Sequence, residues 1–175
     1  MADGRGLLNL PRLRGRGFES HHLRLMDKNT ILISGAIVFK EGRNKNYWLL
    51  TKQKEGDNWE LTKSIVRRGE SSVRTVIRVM GEKGGMSVRV LEEAGRINGA
   101  TSVNGRTLTQ KYIYYLVIVK SVPKELIGFT DHVWLDYQTT LRKLSTKKEK
   151  DVLKKAYAVY KIWKKGKKPR VKKMK

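Results

Sequence analysis

The chain has 175 residues, 39 of them Lys or Arg and 16 Asp or Glu, for a formal net charge of +23, and it contains no cysteine. That length suits one domain around one sizeable core, and the missing thiols exclude a disulfide framework, thiolate zinc sites and a cysteine nucleophile. No stretch approaches the roughly 18 consecutive apolar residues of a spanning helix, and the first residues lack the apolar run of a secretory signal, so the expectation is a soluble, cytoplasmic protein with no membrane partner.

A charge of this size implies an anionic partner or a solvated tail, and its placement is uneven. Residues 147–175 hold fourteen basic residues against Glu149 and Asp151, a net +12, whereas residues 26–146 carry +8. The last ten residues, 166–175, have almost nothing apolar to bury and are expected to be disordered. Lys164, Lys165, Lys167, Lys168, Arg170, Lys172 and Lys173 are candidate contacts to RNA or another polyanion through counterion release; the alternative is a tail that only promotes solubility. Residues 1–25 contain five arginines against Asp3 and Glu19, giving a basic arm. Gly17-Phe18-Glu19-Ser20 can be encoded by a sequence resembling the T-arm of a tRNA gene, so this arm reads either as an ordinary disordered segment or as a translated tRNA gene fused in frame to a chain starting at Met26. His21 and His22 are not read as metal ligands on adjacency alone.

In chain order, residues 30–39 are nearly all apolar and predict a strand buried on both faces, followed by a turn over 41–46 and a partner strand over 47–52. Over 71–83 the period changes: Val73, Val76, Ile77 and Met80 form a helical stripe, with Ser71 or Ser72 as N-cap and Gly84-Gly85 as stop. Gly81 predicts a short or frayed end to that helix. Strands follow at 87–91 and 112–119, separated by Asn98-Gly99 and Asn104-Gly105 as turn signals. An edge strand around 132–135 leads into helices at about 137–144 and 148–163, the second presenting Val152, Ala156, Val159 and Trp163 on one face. Strands, a helix, more strands and closing helices describe a mixed α/β sandwich over 26–146, followed by a Lys-rich helix and tail over 147–175.

The segment Trp59-Glu-Leu-Thr-Lys-Ser-Ile-Val-Arg-Arg-Gly-Glu-Ser71, with the helix and Gly85-Met86 that follow, resembles the Nudix box, G-x5-E-x7-R-E-U-x-E-E-x-G-U with U apolar, often led by W-x-L-P-K. Trp59, Leu61 and Lys63 stand in the lead-in, Glu70 in the first acidic position, Arg78 in the arginine position and Glu82 in the first of the paired glutamates. The resemblance spans roughly residues 29–160 and implies a Nudix-type α/β/α sandwich with a mixed sheet. It further implies a hydrolase of nucleoside diphosphate-linked compounds that uses magnesium, with Glu82, Glu70 and Arg78 as catalytic residues, Glu82 and Glu70 as metal ligands, and Arg78 orienting the acids. Lys63, Arg67 and Arg68 form a basic cluster suited to substrate phosphate or to plain solvation.

Four departures cut against that implication. Ser64 replaces the opening Gly, Thr62 the Pro, Val79 the glutamate after the arginine, and Lys83 the second paired glutamate. Positions 79, 82 and 83 are spaced i, i+3 and i+4, so three carboxylates there would converge on one helix face, as a hard divalent cation requires. Only Glu82 remains of the three, and Lys83 places a like charge where a cation would sit. Glu92-Glu93 is rejected as a substitute pair, because neighbouring strand residues face opposite ways; it reads as a solvated strand end. Trp59 reads as a core or loop anchor with base stacking as the alternative, and Tyr112, Tyr114 and Tyr115 as sheet packing with the same alternative. Two functions follow: a weakened magnesium-dependent hydrolase, or an inactive Nudix-fold module that needs no metal and binds RNA or another polyanion through its basic surface and tail.

Overall fold

A computed structural model describes residues 29–56, 58–123, 126 and 128–167. The basic arm over 1–25, the tRNA-gene reading attached to it, and Lys168, Arg170, Lys172 and Lys173 lie outside the described residues.

Strand β1 (Thr30–Glu41) is the axis of the fold, and Ile33 through Phe39 are all buried, as an apolar run covered on both faces should be. One edge of β1 pairs in parallel with β5 (Arg106–Ser121) from Thr30↔Thr109 to Phe39↔Ile118. Its other edge is shared: β3 (Thr62–Ile65) takes Ile33–Ala36, and β2 (Asn46–Lys52) takes Phe39–Glu41, both antiparallel. The six-stranded mixed sheet runs β4-β5-β1-β2-β6, with β4 (Ser87–Val103) and β6 (Asp131–Leu135) at its edges and β3 beside β1. β3 was not foreseen, since four residues without apolar alternation carry no strand signal of their own; pairing with β1 makes the strand.

Because side chains alternate across the sheet, successive β1 residues feed two separate cores. Ala36 and Val38 join Leu49, Tyr115 and Val117 beneath helix α1 (Ser72–Gly84), which contributes Val76, Val79 and Met80. Ile37 and Phe39 join Trp48, Leu50, Tyr114 and Leu116 on the opposite side. There they meet Val152, Leu153, Ala156 and Tyr160 of helix α3 (Lys147–Lys167) and the half-buried Tyr137 and Leu141 of α2 (Tyr137–Lys143). Phe39 and Trp48 meet Tyr160 edge-on, at centroid separations of 5.0 and 5.9 Å, a geometry that adds to plain burial. This is an α/β/α sandwich.

Three local expectations are corrected. Ile77 is 48% exposed, and Val79, at 3%, takes the inward place. The cause is polar: the Ser72 carbonyl accepts from the Ser34 hydroxyl at 2.7 Å, the Ser72 and Tyr115 hydroxyls lie 2.6 Å apart, and Thr75 is fully buried. These anchors turn the Ser72 and Thr75 side of α1 to the sheet, and Val79 follows one turn after Thr75. The helix also does not end at Gly81: it runs to Gly84 and closes on Gly85 in the left-handed conformation (φ 55°), whose amide donates to the Gly81 carbonyl. Finally, β4 and β5 extend well past 87–91 and 112–119 into one long hairpin closed by Asn104 (φ 51°) and Gly105 (φ 74°), and Asn98-Gly99 sits inside β4 opposite Lys111 and Gln110.

Candidate functional site

The segment from β3 into α1 carries the box residues. Ser71 caps α1, its hydroxyl accepting from the Arg74 amide at 3.2 Å, and so fixes Glu70 just outside the first turn. From there the Glu70 carboxylate lies along the helix toward Arg78. Arg78 Nε donates to Glu70 Oε1 at 2.8 Å and Nη2 to Oε2 at 3.0 Å, a bidentate pair. The Thr75 hydroxyl (2.8 Å) and the Arg67 amide (3.3 Å) also donate to Glu70 Oε2. The Arg78 hydrogen bonds, with those of Thr75 and Arg67, outweigh the opposing effect of burial and hold the Glu70 carboxyl down at about 2. One turn on, Arg78 Nη1 donates to Glu82 Oε2 at 3.1 Å, and Arg67 Nη2 lies 3.7 Å from the same oxygen.

The structure thus brings together Glu70, Arg78, Glu82 and Arg67. Arg68 is exposed, and Lys63 is elsewhere. The three positions expected to share a face are split: Val79 is in the core beneath α1, Glu82 is half exposed and Lys83 partly so.

These residues do not fit a magnesium ion. Both Glu70 oxygens face hydrogen-bond donors, Glu82 offers one oxygen beside two guanidiniums, position 79 is a buried valine, and position 83 is a cation. A hard divalent cation needs several free anionic or carbonyl oxygens. No cluster of three or more His, Asp or Glu suited to a metal occurs among the described residues.

A second feature lies on the other face of the sheet. A cavity of about 300 Å³ is lined by Lys63, Asn98, Gln110, Tyr112, Tyr114 and Glu149, among others. Glu149, 4% exposed, is the residue that sequence reasoning missed. Thr146-x-x-Glu149 has the spacing of a helix N-terminal capping box, and the Glu149 amide does donate to the Thr146 hydroxyl at 3.4 Å. Its carboxylate turns instead to Lys63 Nζ at 2.9 Å, the Tyr114 hydroxyl at 3.3 Å and the Leu61 amide at 3.4 Å. Lys63 also pairs with Glu60, so it is not part of a basic cluster with Arg67 and Arg68. Burial works against the Lys63 ammonium, but Glu149 and Glu60 together raise its pKa above that of an ordinary lysine, while burial and Glu149 push the Tyr114 hydroxyl up. Tyr112 and Tyr114 stack with centroids 6.3 Å apart.

Trp59 is half-buried against the core, with Lys52 Nζ 4.7 Å and Lys143 Nζ 4.8 Å from its ring. Glu92 and Glu93 are both exposed in mid-strand, between register shifts in β4 rather than at a strand end, and Glu93 pairs with Arg96 at 2.7 Å. Lys164 and Lys165 are exposed on α3, and Lys167 is its last residue.

No family model and no curated protein matches the chain. Solved structures do. A C. elegans Ap4A hydrolase in a binary complex superposes with a TM-score of 0.62 at 15% identity, covering 75% of this chain and 98% of that one. The NUDIX domain of Shewanella oneidensis NrtR, complexed with ADP ribose, gives 0.61 at 16% identity over 76% and 90%. A NUDIX hydrolase from Nitrosomonas europaea gives 0.56 at 16% over 74% and 90%. The shared sheet and helix layers, with the box residues leading into and along α1, identify the chain as a Nudix-fold protein.

Proposed function

We propose that this Nudix-fold protein binds a nucleoside diphosphate derivative without hydrolysing it by the magnesium-dependent route of the fold's enzymes. The observation that carries this reading is the state of the box: Val79 is packed in the core and both remaining carboxylates are held by arginines. Binding is supported separately by the cavity, where the half-buried Tyr112 ring suits a base or ribose face and Asn98 and Gln110 supply polar contacts. Similar structures point the same way, since one is a hydrolase of Ap4A and another holds ADP ribose. Fold alone does not decide between binding and hydrolysis; the arginine-paired carboxylates favour binding. A phosphate-release assay with magnesium or manganese over dinucleoside polyphosphates, ADP ribose and nucleoside triphosphates is expected to show no turnover above the blank, with binding of at least one of these compounds by calorimetry. Metal-dependent release that disappears in Glu82→Gln contradicts the reading.

A second reading, binding of RNA or another polyanion, is favoured by lysines interleaved with aromatic rings. Besides the Trp59 pair, Lys40 Nζ lies 4.3 Å from the Trp134 ring, and α3 carries Lys164 and Lys165 toward the basic tail. Such a surface binds phosphates with a steep salt dependence. Affinity for a single-stranded RNA is expected to fall steeply with salt and on deletion of residues 166–175; a flat salt response excludes this reading.

A further inference from the structure

The box lacks the oxygens for a cation, yet it is not a vacant acidic site. Glu82 Oε2 sits between two guanidiniums, 3.1 Å from Arg78 Nη1 and 3.7 Å from Arg67 Nη2. Arg67 and Glu82 are 64% and 52% exposed, so neither is enclosed by packing, whereas Arg78 is 18% exposed and pinned by its bidentate bond to Glu70. This geometry places one packed guanidinium and one exposed guanidinium around an anionic group on a half-exposed side chain. Arg67 presents planar, paired donors suited to phosphate oxygens and Arg78 adds its Nη1 group, its other two nitrogens being taken by Glu70, and phosphate carries more charge than the single carboxylate it would displace.

We propose that Arg67 and Arg78 form a metal-independent diphosphate site in which protein cations take over the neutralising task that the Nudix box normally gives to magnesium, and in which Glu82 is a competing internal anion rather than a ligand. This deepens the proposed function and rests on it only for the nucleoside part of the ligand; the diphosphate part is tested alone. Loading requires Glu82 to swing out and Arg67 to exchange one carboxylate partner for phosphate oxygens. No bond is made or broken.

The decisive property is the sign of one substitution. In a magnesium site, removing the Glu82 charge weakens binding; here it removes the competitor. Calorimetric titration of inorganic pyrophosphate and of ADP ribose into the full chain, with EDTA and then with magnesium, is expected to give binding in EDTA. Pyrophosphate affinity is expected to rise about fivefold in Glu82→Gln, the scale set by one exposed charge interaction. It is expected to fall about tenfold in Arg67→Gln, which removes a charged donor pair. Thermal melts check that these half-exposed substitutions leave the fold intact. Weaker pyrophosphate binding in Glu82→Gln, a requirement for magnesium, no effect of Arg67→Gln, or no pyrophosphate binding by the wild type each overturns the assignment. If ADP ribose binds but is indifferent to both substitutions, the diphosphate site is wrong and nucleoside binding stands. If pyrophosphate behaves as expected but no nucleoside compound binds, the nucleoside reading fails and this site stands.

Discussion

Glu70 shows how the partner of one side chain can be legible in sequence while the full set of its hydrogen bonds is not. Its register with Arg78, eight residues on, could be read from the box, and the two do meet in a bidentate pair. What could not be read is that the pair uses up the carboxylate. Because Arg78, Thr75 and the Arg67 amide hold the Glu70 carboxyl at about 2, below its ordinary value of 4.5, its contribution to stability has a definite sign with pH. A carboxyl whose pKa is depressed on folding stabilises above its unfolded pKa, and that contribution is lost as pH falls through the folded value. The stability difference between wild type and Glu70→Gln is therefore expected to be constant above about pH 4.5 and to shrink steadily toward pH 2. Denaturant titrations at a series of pH values measure it; a difference that persists unchanged to pH 2 contradicts the pairing. Glu149 is the opposite case. Its spacing from Thr146 is that of a capping box, but nothing local points to Lys63, 86 residues earlier.

At the scale of elements, the start and stop of α1 were written in Ser71 and Gly85, while its rotation was not. The expected stripe of Val73, Val76, Ile77 and Met80 shares Val76 and Met80 with the observed inner face, which takes Val79 in place of Ile77. The choice was made by polar groups that a hydrophobic pattern ignores: Ser72 bonded to Ser34 and Tyr115, and Thr75 bonded to Glu70 and the Ser71 carbonyl. This rotation has a chemical consequence, since restoring the family's glutamate at position 79 would put a carboxylate among Val76, Met80 and the sheet rather than beside Glu82. Val79→Glu is expected to destabilise the protein by about 3 kcal/mol, as for a buried unpaired polar group. A change within about 0.5 kcal/mol, typical of a surface position, would show that position 79 faces solvent. The β4–β5 hairpin was underestimated for a related reason: Asn98-Gly99 has the composition of a turn, but its backbone is held in a ladder with Lys111 and Gln110.

For the whole molecule, the order of elements together with the box was enough to name the fold, since β-rich runs, one helix, a long hairpin and closing helices can be packed as two helical layers on a mixed sheet in few ways. The charge excess was legible in amount and placement but not in its local use. Part of it lies on α3, whose inner face is as much part of the core as β1, with Val152, Leu153, Ala156 and Tyr160 buried. A smaller part, Lys83, stands at a box position where the family pattern carries a glutamate. The account therefore turns on whether the box still gathers a hard divalent cation. Manganese, which favours the same oxygen ligands and gives a paramagnetic resonance signal when free in solution, reads this directly. Titrated into the full-length chain, manganese is expected to remain free up to millimolar concentration, in wild type and Glu82→Gln alike. Loss of the free signal at one ion per chain in the micromolar range, abolished by Glu82→Gln, would contradict the account.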